Sequence, residues 1–188
     1  MSSHKRYVIV VGIDYSELSR MALRQAFQVA SERTPSEVHV LHVSTRVDGY
    51  PHAGSDAPAP NDELVVRGLE RLQRLVRTDL GVFFGTGDGA GRLPFGVVSH
   101  IRSGSAASQI AQLADDVRAD LVVVGTQGHT GITRLLLGSV AHGVVSLAPC
   151  TVLVVRDRNF AQAAPVRSAH QDALQGSEAV AEPGAKGN

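Results

Sequence analysis

The 188-residue sequence predicts an α/β protein built on a parallel sheet. Two observations carry that expectation. Five short apolar runs rich in Val and Ile recur along the first 155 residues, and the first, over 7–13, is continuous, the pattern of a strand buried on both faces. Between them lie segments with apolar residues at helical spacing, and strands alternating with helices imply parallel pairing through right-handed crossovers.

The elements follow in order. Residues 7–13 form the first β-branched run. Asp14-Tyr15-Ser16 is turn chemistry, with Ser16 a good N-cap for a helix to about Ser31 in which Leu18, Met21, Ala22, Ala26 and Val29 recur. Pro35-Ser36 breaks the chain before a second strand over 38–43, and residues 44–60 read as a long loop of Gly, Pro, Asp and Ser. A second helix is expected over 61–80, with Leu64, Val65, Leu69, Leu72, Leu75 and Val76 on one side. Its Arg67 and Arg74 each follow a glutamate by four residues (Glu63 and Glu70), so they read as solvated ion pairs of about 0.2–0.5 kcal/mol each rather than a nucleic-acid stripe. Segment 81–96 holds six glycines; it loosely suggests a dinucleotide loop, but no helix with apolar periodicity follows, so it reads as a flexible insertion. A third strand is expected over 97–101, then a helix opened by Gly104-Ser105 with Ile110, Leu113, Ala114 and Val117 in register. The fourth strand covers 121–124 and ends at Gly125; a helix over 139–147, closed by Pro149, precedes the fifth strand at 151–155. From Asp157 the pattern stops, and the composition predicts one domain over 1–156 and a disordered tail over 157–188.

Composition narrows the function. Eighteen Lys+Arg balance eighteen Asp+Glu, which excludes a general nucleic-acid binder and a polybasic membrane-surface protein. One cysteine excludes a disulfide framework, and no apolar stretch approaches the ~20 residues of a membrane span. The N-terminus has neither the apolar length nor the cleavage pattern of a signal peptide, so the expectation is a soluble, cytoplasmic protein. The only lysines are Lys5 and Lys186, which removes P-loop and Schiff-base chemistry from the body of the fold.

Ligands of open α/β sheets bind beyond the carboxyl ends of the strands. Two such ends carry informative residues here. The first strand ends in Gly12-Ile13-Asp14, and the fourth in Gly125-Thr126-Gln127-Gly128, followed after nine residues by Gly138-Ser139 at a helix start. Gly125 and Gly128 permit a tight turn and close approach of a ligand. Gly138-Ser139 presents free backbone N–H groups, a hydroxyl and the positive end of a helix dipole, which suits phosphate. Asp14 is placed for a ribose hydroxyl or, through water, a divalent cation, while Val43 and Val124 are placed for apolar contact to a base.

These motifs resemble the universal stress proteins. The Gly-x-x-Gly-x9-Gly-Ser pattern at 125–139 is similar to that of the family's ATP-binding branch. Residues 10–16, Leu41-His42-Val43, Gly104-Ser105-Ala106-Ala107 and 148–155 resemble further family segments. The resemblance covers about Lys5 to Arg156 and implies a Rossmann-like fold related to the adenine nucleotide alpha hydrolases, with sheet order 3-2-1-4-5 and helices on both faces. It also implies a homodimer through the last strand. Further, it implies an ATP site, with Mg or Mn, at positions matching Gly12, Asp14, Val43, Val124, Gly125, Gly128, Gly138, Ser139, Val140 and Ala141. Ala141 stands where ATP-binding relatives often carry a hydroxyl.

Plainer readings stand beside these. Taken singly, the glycines read as turns and helix stops, but their spacing favours a nucleotide site; Asp14 also reads as a turn or capping carboxylate beside Ser16. His129 and Arg134, inside the loop, either touch phosphate or are solvated. His39 and His42 face opposite sides of a strand and cannot chelate one metal together; His100 is a possible partner for either, but the favoured reading is a satisfied core or edge histidine. Cys150 reads as a small core residue. No catalytic residue is assigned. The leading expectation is an ATP-binding regulatory protein; the alternatives are a slow Mg-dependent ATPase or nucleotide-transferring enzyme, and a protein-interaction module with a vestigial loop.

Overall fold

The computed structural model describes residues 5–44, 62–85, 93–126 and 137–157. In chain order these form β1 (Tyr7–Ile13), α1 (Glu17–Glu32), β2 (Ser36–Ser44), α2 (Asp62–Phe84), β3 (Gly96–Ser103), α3 (Ala106–Asp116), β4 (Leu121–Gly125), α4 (Ser139–Leu147) and β5 (Thr151–Val155). The strands make one sheet of order β3-β2-β1-β4-β5, with every pairing parallel. The chain steps outward from β1 to β2 and β3, then returns to place β4 on the other side of β1. The strand order therefore reverses between β1 and β4, where the carboxyl ends of such sheets open a crevice.

Side chains alternate across the sheet and give two cores. Ile9, Val11 and Ile13 of β1 pack with Val38, Val40 and Val123 against Leu23, Phe27, Leu72, Val76 and Leu80 of α1 and α2. Val10, Leu41, Val43, Val122 and Val124 pack against Ile110 and Leu113 of α3 and Ala141 and Val144 of α4.

Three elements differ from the expectation. Helix α2 runs to Phe84, straight through Gly81, because Leu80 and Phe83 still pack on the core and Phe83 meets Phe27 edge-on at 6.1 Å. Tertiary burial there outweighs the ~1 kcal/mol propensity cost of one glycine. Strands β2 and β3 are longer than their apolar runs, since pairing from Glu37–Gly96 to Ser44–Ser103 extends through the polar residues at both ends. Of the expected 81–96 insertion, residues 81–84 belong to α2 and Gly96 to β3, because both pack or pair with the rest of the fold; residues 86–92 lie outside the described residues, as do 45–60 of the expected loop and the tail from Arg158 onward.

Two carboxylates, one buried and one half-buried, brace the frame. Asp79 on α2 has no exposed surface and accepts from Arg20 Nε at 3.0 Å and Arg24 Nε at 2.9 Å, clamping α1 to α2. The bond raises the Arg20 pKa. Asp120 accepts from Val8 N–H and Lys5 Nζ, each at 3.0 Å, and its own N–H donates to Val8 carbonyl at 2.8 Å, tying the start of β4 to β1. Burial pushes the Asp120 carboxyl up, but these two donors outweigh it and leave its pKa below the ordinary value. Of the two expected pairs on α2, Glu63–Arg67 forms at 2.5 Å, while Glu70–Arg74 is not among the ion pairs of the described residues.

Candidate functional site

At the end of β1 the chain turns sharply into α1. Tyr15 adopts φ +66°, in the left-handed region, and Asp14 Oδ1 accepts from both Ser16 N–H (3.0 Å) and Ser16 hydroxyl (2.5 Å). Ser16 Oγ in turn accepts from Ser19 N–H at 3.2 Å, capping α1 as its sequence predicts. The Asp14 carboxylate thus has its orientation set by the helix start, at the carboxyl edge of the central strand. The Tyr15 ring lies between the His42 ring (centroids 4.6 Å apart) and the Arg71 guanidinium, 4.0 Å from its centroid. His42 Nδ1, protonated, donates to Ile13 carbonyl at 2.8 Å.

The second half of the site lies where β4 meets α4. Thr126 N–H donates to Val155 carbonyl at 2.9 Å, and Thr126 carbonyl accepts from Gly138 N–H at 2.7 Å. That second bond joins the strand end to the helix start across the intervening loop. Gly138 is the N-cap of α4, at φ −59° and ψ 154°, with no side-chain capping bond. The first intrahelical bond runs from His142 N–H to Gly138 carbonyl at 2.9 Å. The amides of Ser139, Val140 and Ala141 in the first turn therefore have no helical acceptor, and no side chain among the described residues caps them. Aligned amides at the positive end of a helix dipole suit an anion, so the residues present fit a phosphate group.

The glycines have packing roles as well. A Cβ on Gly125 would stand 3.2 Å from the backbone of Leu18, so β4 runs close under the first turn of α1. A Cβ on Gly12 would lie 2.7 Å from Ile110 Cδ1 and 3.5 Å from Val124 Cγ1. Val43 and Val124 are buried on the α3/α4 face with Ile110. Ala141 is buried too, so its side chain is spent on packing and its N–H is what it can offer a ligand, whereas Ser139 and Val140 are exposed. Gly128, His129 and Arg134 lie outside the described residues.

Thr126 and Gly143 were given no role by sequence reasoning. Thr126 is a short polar residue between two glycines, and its backbone rather than its hydroxyl makes the bridge. Gly143 sits mid-helix, where glycine is unfavourable, and that cost was the available signal. His100 meets His39 rather than His42: His39 Nδ1 and His100 Nε2 are 2.9 Å apart, and His39 Nε2 is 2.9 Å from Glu37 Oε1. Burial holds both imidazole pKa values below the ordinary one. Burial likewise raises the Cys150 thiol, in keeping with a packed rather than reactive cysteine. Among the described residues no group of three or more His, Cys, Asp or Glu is placed to hold a metal, and no helix is long and apolar enough to cross a membrane.

A model of the universal stress protein family matches residues 6–156. A universal stress protein of Methanocaldococcus jannaschii is 33% identical over 154 residues, covering 79% of this chain and 81% of its own. Universal stress protein G of Shigella flexneri is 31% identical over 156 residues, with 81% and 99% covered. Among solved structures, universal stress protein UspA from Lactobacillus plantarum has a TM-score of 0.60 at 24% identity, covering 81% of this chain and 99% of its own. A universal stress protein in complex with cAMP has a TM-score of 0.53 at 24% identity, with 80% and 97% covered. One from Archaeoglobus fulgidus in complex with dAMP has a TM-score of 0.52 at 20% identity, with 81% and 98% covered. At these identities the solved structures share the fold.

Proposed function

The chain belongs to the universal stress protein family, and from that premise we propose that it binds ATP with Mg2+ or Mn2+ and acts in the cytoplasm as a nucleotide-responsive regulatory dimer. The observation that carries the reading is the 2.7 Å bond from Gly138 N–H to Thr126 carbonyl, which holds the first turn of α4 beside the end of β4. On this reading the phosphates take the amides of Ser139, Val140 and Ala141 and the Ser139 hydroxyl, with Gly125, Gly128 and Gly138 allowing close approach. Asp14 serves the ribose or, through water, the cation, which neutralises phosphate charge in a fold with no lysine between positions 5 and 186. Val43 and Val124 border the base, and Gly12 lies between their strands. The solved relatives with cAMP and dAMP support an adenine nucleotide as the ligand class.

The dimer reading rests on the β5 edge. Val140, Val145 and Leu147 of α4 are 41%, 51% and 55% exposed, and β5 beside them is only partly covered, an apolar margin that a second copy would bury.

Titration calorimetry of the full chain with Mg-ATP at tens of micromolar protein is expected to give a saturable heat. Its absence from folded protein refutes the reading. A Gly128→Val, Gly138→Val double variant is expected to lose that heat with little change in Tm, since the Gly138 dihedrals are open to valine.

A further inference from the structure

Helix α4 carries a glycine at its middle, Gly143, where alanine would favour the helix by about 1 kcal/mol. Its surroundings explain the choice. A Cβ on Gly143 would stand 2.6 Å from Ala107 Cβ, nearer than side-chain carbons approach one another. On α3, three residues further along the same helix face, Ile110 closes over Gly12 of β1, where an added Cβ would meet its Cδ1 at 2.7 Å. A chain of near contacts therefore runs from the central strand through one face of α3 into α4, and each link depends on a glycine opposite a small or apolar side chain. The same helix begins at Gly138, whose N–H is bonded to Thr126 at the end of β4.

We propose that Gly143 is a positioning residue for the anion-binding end of α4. Its contact with Ala107 sets how closely α4 lies on α3, and so where the amides of Ser139, Val140 and Ala141 stand against Gly125-Thr126. The inference rests on the phosphate-binding reading given above and adds to it a residue with no place in the loop pattern. An added methyl has to push α4 back by about 1 Å to restore ordinary contact. Displacements of that size are enough to cost roughly a hundredfold where several hydrogen bonds converge on one group.

The test compares ATP and adenosine binding to the wild type, Gly143→Ala, and the double variant Ala107→Gly, Gly143→Ala, which moves the methyl from one side of the contact to the other. All are measured well below their Tm. For Gly143→Ala we expect the ATP Kd to rise at least tenfold and the adenosine Kd to change less than twofold, because adenosine carries no phosphate. The double variant is expected to return the ATP Kd to within threefold of wild type. Equal losses for ATP and adenosine, or an unchanged ATP Kd in Gly143→Ala, overturn the positioning role. Should Gly143→Ala fail to fold, the double variant decides: folded but unable to bind ATP, it overturns the role. A wild type that binds no ATP at all overturns the phosphate reading, and the positioning role with it, while a wild type that binds leaves only the second at stake.

Discussion

On the α1/α2 face Phe27 stacks on Phe95 at 5.7 Å and meets Phe83 edge-on, and long arginines reach across to the buried Asp79. On the α3/α4 face no aromatic residue is among the packed described residues, and methyl groups lie close over two glycines: Ile110 over Gly12 and Ala107 over Gly143. Large interlocked side chains contribute most of their stability through buried area, and their neighbours can relax around a loss. Small-residue contacts bury less, but where Ala107 meets Gly143 no flexible side chain lies between the two helices to give way. The second plan lies under the candidate phosphate cradle, and the difference separates residues that hold the molecule folded from residues that hold its binding groups in place.

The largest expected effect falls on the aromatic face. Phe27→Ala removes a fully buried ring and is expected to cost about 3–5 kcal/mol in denaturant unfolding, with the ATP Kd of the remaining folded protein unchanged. A Kd shift as large as that from Gly143→Ala would break the distinction between the faces. Next comes Gly12→Ala, which overpacks Ile110 and is expected to cost about 1–3 kcal/mol. Because Ile110 Cδ1 is the end of a flexible side chain, adding Ile110→Val, which deletes that methyl, is expected to recover most of the loss. Failure to recover would mean that the backbone itself cannot accept a side chain at position 12.

The smallest effect sharpens the comparison at the sheet edge, where β2 and β3 extend beyond the apolar packing of α3. His39 and His100 meet there, with Glu37 on the far nitrogen of His39, Arg6 paired to Glu37, and Arg102 paired to Asp116. Burial first, then the neighbouring positive groups, lowers both imidazole pKa values, while Glu37 opposes the shift at His39. The unfolded chain, with histidines near 6.5, therefore binds protons before the folded one does. The pair's contribution to stability is complete above about pH 6.5 and declines as pH falls through the lower folded values. Unfolding free energies measured from pH 7.5 to 5 are expected to fall more steeply for wild type than for a His39→Gln, His100→Gln variant. Parallel profiles would show that the pair titrates alike in both states.

Much of this was legible before any coordinates. The apolar runs rich in Val and Ile placed all five strands, and Ser16 and Pro149 bounded helices where the structure has them, because caps and breakers act within a turn of chain. Helix α2 was misjudged at its end, since what holds Gly81 helical is the packing of Leu80 and Phe83 on a core assembled from distant segments. The spacing of Gly125, Gly128 and Gly138 pointed to the candidate site through local backbone chemistry alone. The bond from Gly138 to Thr126, the Ala107–Gly143 contact and the His39–His100 pair link residues brought together by crossovers, with no local pattern to announce them.

By itself, then, the sequence determined the strands and the helix starts, consequences of periodicity and short-range hydrogen bonding, while its motifs carried the family resemblance. Only the tertiary structure decided which glycines are spacers, how near α4 lies to α3, and that its start is bonded to the end of β4. Those are distances between segments far apart in the chain, and they exist only once two different cores have closed on the two faces of one sheet.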